Sequence, residues 1–354
     1  MIIVDGHLDL GFNYLGVGRD PRDSALLIRE REGDLAKQPF RGQCMVGLPE
    51  MQRGGVRIVF PTLFLARKRD NLPVDRPASV TYETAEEAER CGRMQLEFYQ
   101  RLADDEKNPF RMIGTRADLE SVLAAEEPPI GFVPLMEGAD PIVVPEDAPV
   151  WFERGIRIVG LAWRSTRYSG GTSEPGPLTE AGRALVPALD RAGIILDLSH
   201  AAEESFFEAL DLYERPPIAS HSNPRKICPG DRQLSDEMIR RIAARGGVIG
   251  SVPFNWMLQE GWKESGCPAV PLSRVAEAIH HVTQVAGTHH AAAIGSDLDG
   301  GFGAESAPEG LDTIADLPRL AEVLADVSFT DEQIFDILGR NWIRFLKENL
   351  PAGR

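Results

Sequence analysis

The chain has 354 residues, of which 43% are hydrophobic and 26% charged, so it can bury a sizeable core and is not disordered by composition. Asp and Glu outnumber Lys and Arg by 54 to 38, a formal net charge of −16, and that field repels nucleic-acid phosphate and anionic membrane surfaces. The four cysteines (Cys44, Cys91, Cys228, Cys267) contain no Cys-x-x-Cys pair and point to neither a cysteine zinc site nor a disulfide framework.

At the N-terminus, Met1-Ile2-Ile3-Val4 meets Asp5 without a basic segment, unlike a secretory signal. No apolar run nears the roughly 18 residues of a membrane helix. A cytoplasmic protein with no membrane or nucleic-acid partner is expected, and a homodimer stays open. Short β-branched runs predict strands at residues 2–4, 56–62, 130–135, 156–161, 194–198, 217–219, 248–252 and 292–295. Amphipathic patterns between them predict helices at residues 80–102, 116–125, 179–191, 202–213, 235–245 and 273–286. Gly54-Gly55 and Gly246-Gly247 stop helical patterns just before strands, and Ser235-Asp236-Glu237 and Thr330-Asp331-Glu332 look like N-caps with acids in the first turn. The charged, irregular stretch 16–40 predicts a loop or flap, and the Gly-rich stretch 300–309 another loop. Strands alternating with helices, several of them apolar throughout, predict parallel βαβ units. Eight units predict a (β/α)8 TIM barrel with extra helices, one domain over residues 1–354; a doubly wound open sheet is the alternative.

Ionisable residues gather where those strands end. His7 and Asp9 follow the first strand at i and i+2, a spacing that lets imidazole and carboxylate converge on one metal. Glu137 ends the third strand, His200 the fifth, His221 the sixth and Asp297 the eighth. In a parallel barrel these ends share the rim where active sites are built. Three histidines and three acids have the types and number needed for two divalent metals bridged by one carboxylate. His280 and His281 fall inside a helical pattern and His289 and His290 precede the last strand, so surface or capping roles are expected of them. Asp299 is expected to hydrogen-bond its own Gly-rich turn.

The motifs Asp5-Gly6-His7-Leu8-Asp9-Leu10, Glu137-Gly138, Asp197-Leu198-Ser199-His200, Ser220-His221-Ser222-Asn223 and Gly295-Ser296-Asp297-Leu298-Asp299-Gly300 resemble, in order and spacing, those of the membrane (renal) dipeptidase family, peptidase family M19, of the amidohydrolase superfamily. The segment Gly339-Arg340-Asn341 resembles that family's closing Gly-x-Asn helix. The resemblance implies a metal-dependent hydrolase with two zinc ions per chain, other divalent metals being possible, that cleaves dipeptides and often tolerates a C-terminal D-residue. Carried over, it makes His7 and Asp9 ligands of the first ion, Glu137 the bridge, and His200 and His221 ligands of the second. It makes Asp297 the residue that moves the water's proton, and Arg232 the grip on the substrate's terminal carboxylate, for which a planar fork is suited. None of the six lysines ends a predicted strand, so a carboxylated lysine is not expected as the bridge.

The sequence departs from the family after the fourth strand. There Gly160-Leu161-Ala162-Trp163-Arg164 puts Trp163 where the family usually has a histidine, and an indole cannot accept a proton. After the seventh strand, Phe254-Asn255-Trp256 replaces a frequent tyrosine. Trp163 and Arg164 are therefore substrate-pocket candidates, with Arg167 as a further charge beside them or a solvated loop residue. Three hypotheses follow: a dipeptidase, the same metal chemistry on N-acyl amino acids or other small carboxylate-bearing amides, and a catalytically silent barrel that binds.

Overall fold

The structure, a computed structural model, describes residues 1–353. The β-branched run Val56-Arg57-Ile58-Val59-Phe60 opens the longest strand, Val56–Phe64, which is buried along nearly its whole length. A parallel sheet runs from Ile195–Asp197 through Ile158–Gly160, Leu135–Glu137, Val56–Phe64, Ile3–Leu8 and Ala292–Ile294 to Ile249–Ser251. Its two edges are joined by the parallel bridges Asp197–Ile218 and Ala219–Ile249. The expected sixth strand is thus only a pair of bridging residues, yet it sits in its place and closes the ring as a TIM barrel.

The run at 130–135 splits. Ile130–Phe132 and Leu135–Glu137 pair separately along Val56–Phe64, with Val133 and Pro134 between them. Proline brings no N–H to the ladder, which explains the break. Phe110–Met112, absent from the expected strands, pairs outside Ile130–Phe132.

The helices follow their caps. Thr179 and Ser235 accept N–H bonds from Gly182 and Met238 at the starts of Glu180–Ala192 and Asp236–Ala244, and left-handed Gly193 and Gly287 end Glu180–Ala192 and Ser273–Ala286. The helix expected from residue 80 starts at Ala85, because Thr84 caps it and Thr81–Tyr82 is a short strand. The stretch 16–40 is more ordered than a flap. It holds the helix Ala25–Glu32, capped by Ser24, and a 3-10 turn Gly33–Lys37. Arg19, almost fully buried, fastens it through a forked bond to Glu32 at 3.0 and 2.8 Å. The stretch 300–309 is a loop with a 3-10 turn at Ala304–Ser306.

One apolar cluster takes Val4, Ile58, Leu135, Ile158, Ile195, Ile218, Val248 and Ala293, one from each strand position, and so fills the lumen. Trp342 of the closing helix Asn341–Asn349 joins it, fully buried, and gives its indole N–H to the Ile294 carbonyl at 2.8 Å. Asn341 beside it donates to the carbonyls of His289 and Ala292, both at 2.8 Å. Higher in the barrel the wall is made of glycine. A Cβ at Gly6, Gly250 or Gly295 would come under 3.0 Å from the Ser220 carbonyl oxygen, so three strands close on the bridging segment only because these side chains are missing. Among the described residues, no helix is long and apolar enough to cross a membrane.

Candidate metal centre

Each of the six expected residues stands at or just beyond the C-terminal end of a barrel strand. His7 lies within Ile3–Leu8, where the pairing shifts register between Asp5 and Leu8, and Asp9 is one residue past the strand, so the two converge where the strand is irregular. His200 and Asp297 both adopt left-handed backbone, with φ of 63° and 56°. Such strain in non-glycine residues persists where the surrounding structure holds it, and it clusters at functional sites. The Asp297 N–H bonds the His7 carbonyl at 3.1 Å, tying the last strand's end to the first's.

The side chains form two groups that share Glu137. His7 Nε2 is 3.2 Å from Glu137 Oε2, 3.8 Å from Asp9 Oδ1 and 3.9 Å from Asp297 Oδ1. On the other side, Glu137 Oε1 is 3.3 Å from His200 Nε2 and 3.7 Å from His221 Nε2, and those two nitrogens are 3.0 Å apart. One carboxylate therefore offers one oxygen to each group.

The electrostatics of this cluster are unbalanced. Burial disfavours a charge on His7, but Glu137, Asp9 and Asp297 prevail and push its imidazole up to about 10. Burial and then the charge of Glu137 push Asp9 up to about 7, against His7 and a bond from Thr62. Burial holds Asp297 well above the usual carboxylate range; His7 opposes this, and Asp9 and Glu137 add to it. Burial, with the positive charges of His7 and Arg232, keeps His200 and His221 well below the usual imidazole value and so neutral. A buried His7 Nε2 with no hydrogen-bond partner among the described residues, and two neutral imidazole nitrogens facing each other, are donors that a bound metal cation would satisfy. The nitrogen and carboxylate-oxygen donors suit zinc and its neighbours.

Arg232 is 5% exposed and bonds the His221 carbonyl at 2.6 Å and Ser222 Oγ at 3.1 Å. Among the described residues no carboxylate pairs with it directly, although Asp297, Glu137 and Asp197 act on it through space. The Trp163 ring stands edge-on to Phe64 at 5.1 Å and Phe40 at 6.3 Å, and a small pocket brings it to Glu137. Arg164 lies over that ring at 5.3 Å and reaches Asp70 at 3.4 Å. Arg167 is committed to Asp140 and to the carbonyls of Ile142 and Val143, a loop-pinning role rather than free charge. Asp299 does not serve its own turn: it accepts the N–H groups of Met45 and Val46 at 2.8 and 3.0 Å and faces Arg19, so it anchors the 42–46 loop. His281 and His289 bond Asp236 and Asp336, and His290 takes Arg344, away from the rim.

Sequence reasoning passed over the supports behind the ligands. Asn13 holds the carbonyls of Asp9 and Asp299 at 3.1 and 3.0 Å, Thr62 bonds Asp9, Thr172 meets His200 Nδ1 at 2.9 Å, and Asp197 holds Ser220 at 2.5 Å. Asp197 and Ser220 lie inside the quoted motifs; Ser220 stands immediately before His221 and Asp197 three residues before His200, which was the available signal.

The sequence pattern of the family Membrane dipeptidase (Peptidase family M19) matches residues 1–352. An uncharacterized dipeptidase of Schizosaccharomyces pombe is 26% identical over 318 residues, 85% of this chain and 71% of that one. The solved dipeptidase AC, of family M19, is similar with a TM-score of 0.79 at 24% identity, over 100% of this chain and 99% of its own. A metallo peptidase from Rhodobacter sphaeroides, liganded with a phosphinate mimic of the dipeptide L-Ala-D-Ala, gives a TM-score of 0.78 at 22% identity, over 99% of each chain.

Proposed function

The chain belongs to the membrane dipeptidase family, peptidase family M19, and is a metal-dependent dipeptidase; from that premise we propose that it works with two zinc ions bridged by Glu137 and accepts dipeptides carrying a C-terminal D-residue. Family membership and a complete set of competent ligand types both count against a catalytically silent barrel.

The observation that carries the two-ion reading is the division of Glu137: Oε2 faces His7, Oε1 faces His200 and His221. His7 and Asp9 would hold one ion and the two other histidines the second. When bound, the pair would polarise the scissile carbonyl and acidify the attacking water to near neutral pH. Asp297, held above the usual carboxylate range by burial, lies beside His7 at 3.9 Å, where the water's proton would leave. It takes the proton and hands it to the leaving amine. Arg232, buried and without a carboxylate partner in direct contact, grips the substrate's terminal carboxylate through its guanidinium fork. The D-residue reading draws on the Rhodobacter sphaeroides likeness with its L-Ala-D-Ala mimic.

Trp163 favours a second reading of the substrate. An aromatic wall backed by Phe64 and Phe40, in place of a histidine, suits an N-acyl group better than a free ammonium. The test is metal analysis after gentle purification and zinc titration of the stripped chain, followed by hydrolysis of L-Ala-D-Ala, L-Ala-L-Ala and their N-acetyl forms. Saturation at two ions with turnover of free dipeptides supports the first reading. Saturation at one ion defeats the two-ion site, and turnover confined to N-acetyl substrates replaces the dipeptide reading.

A further inference from the structure

We infer that Ser220 is a positioning residue whose one hydroxyl sets the ligating tautomer of a histidine in each metal group, His7 in the first and His221 in the second. The inference rests on the two-ion reading for its consequence, but its geometry stands apart from it. Ser220 is fully buried, and its Oγ lies 2.5 Å from Asp197 Oδ2, 2.8 Å from His221 Nδ1 and 3.3 Å from His7 Nδ1.

The direction of these bonds follows from an inventory of protons. A hydroxyl has one proton to give and two lone pairs. Asp197, as a carboxylate, can only accept; its Oδ1 already takes the N–H groups of Ser199 and Ser220 at 3.0 and 2.9 Å. The Ser220 proton is therefore spent on Asp197. What remains at Oγ is acceptor capacity, so each imidazole nitrogen facing it must carry its own proton. Nδ1–H on a neutral ring leaves Nε2 as a bare lone pair; the His221 ring is already neutral, whereas His7, charged beside three carboxyls, has its Nε2 proton to give up to an ion, and Nε2 is the atom that both histidines turn toward Glu137. The Ser199 hydroxyl, also 3.3 Å from Ser220 Oγ, competes with His7 for one lone pair. The closer His221 bond is consequently the firmer of the two.

His200 makes the contrast. Its Nδ1 meets Thr172 Oγ1 at 2.9 Å, and no carboxylate among the described residues dictates which way that hydroxyl turns. Thr172 touches one ligand of one group; Ser220 touches one ligand of each. The two groups are thereby coupled through an atom that contacts neither ion.

Two measurements test this. Zinc affinities of the full chain, read by chelator competition, should fall for both ions in Ser220→Ala, by about 10- to 100-fold each, as loss of such a support does elsewhere. Thr172→Val should weaken only one. Asp197→Asn, whose amide can donate to the Ser220 oxygen, should resemble Ser220→Ala with the hydroxyl still present. Nitrogen NMR of the metal-free chain reads the tautomer directly: His221 should be Nδ1–H in the wild type and lose that preference in Ser220→Ala. Weakening of one ion only in Ser220→Ala, or an unchanged His221 tautomer, overturns the inference. A wild type that binds fewer than two ions defeats the two-ion reading instead, and the tautomer measurement still decides this one.

Discussion

At the closed end of the barrel lumen Trp342 gives its N–H to Ile294, Asn341 spans two carbonyls, and the indole shares one apolar cluster with a side chain from each strand position. At the open end, some of the same strands present His7 with an unpartnered Nε2, carboxyls raised by burial and by one another, and residues held at positive φ. One end meets the indole N–H and the amide it brings in by hydrogen bonding and close packing. The other keeps buried polar groups in want of a partner. Folding free energy is gathered where chemistry is absent, and that reserve lets the rim hold an arrangement that would not be stable alone.

Substitutions at the two ends should therefore fail in different ways. The largest effect is expected at Trp342. Trp342→Ala should lower the unfolding free energy by about 3–5 kcal/mol in urea titration, while the protein that remains folded keeps its metal content. Metal lost ahead of the fold would show that the two ends are not separate. Next comes Asp297→Asn, which keeps shape and metal but cannot accept a proton. Its kcat should drop roughly 10²-fold or more, about 2.7 kcal/mol in barrier, with no loss of stability in the metal-free chain. Near-normal turnover would make Asp297 a structural residue. Arg232→Met is expected to raise KM for carboxylate-bearing substrates and spare their C-terminal amides, a cost of about 1.5–3 kcal/mol in kcat/KM. Equal effects on acids and amides would remove Arg232 from carboxylate recognition. The smallest effect belongs to Trp163→His, a shift toward free-amine dipeptides of about tenfold with metal content intact. An unchanged substrate profile would take Trp163 out of the pocket.

The open end was the more legible of the two in the sequence. His, Asp and Glu at the ends of apolar runs are conspicuous, and the structure brings His7, Asp9, Glu137, His200, His221 and Asp297 to one rim. The helices after Thr179 and Ser235 fall within a residue of their expected bounds, whereas the one capped by Thr84 starts five residues later than expected. What escaped depends on contacts between distant segments. Ala25–Glu32 has a weak apolar stripe and is secured by Arg19, and Asp299 serves a loop more than 250 positions away. Phe110–Met112 is too short for periodicity to register, and exists through its partner Ile130–Phe132. The roles of Ser220 and Asp197 required knowing which hydroxyl lies behind which ring, a fact of three-dimensional register rather than of spacing.

The glycine wall around the Ser220 carbonyl bears on how such a protein can acquire new substrates. Because Gly6, Gly250 and Gly295 leave no room for even a methyl group, any replacement there pushes on the segment that carries His221, and so damages the ligand set from a position that never touches it. Variation at these three sites is closed to selection for specificity. In the loops beyond the strand ends, Trp163 and Phe254 make ring-on-ring contacts instead, with Phe64 and Phe302. Diversification of this scaffold is thereby channelled outward, and a library built to retarget it should leave those glycines untouched and randomise the loops.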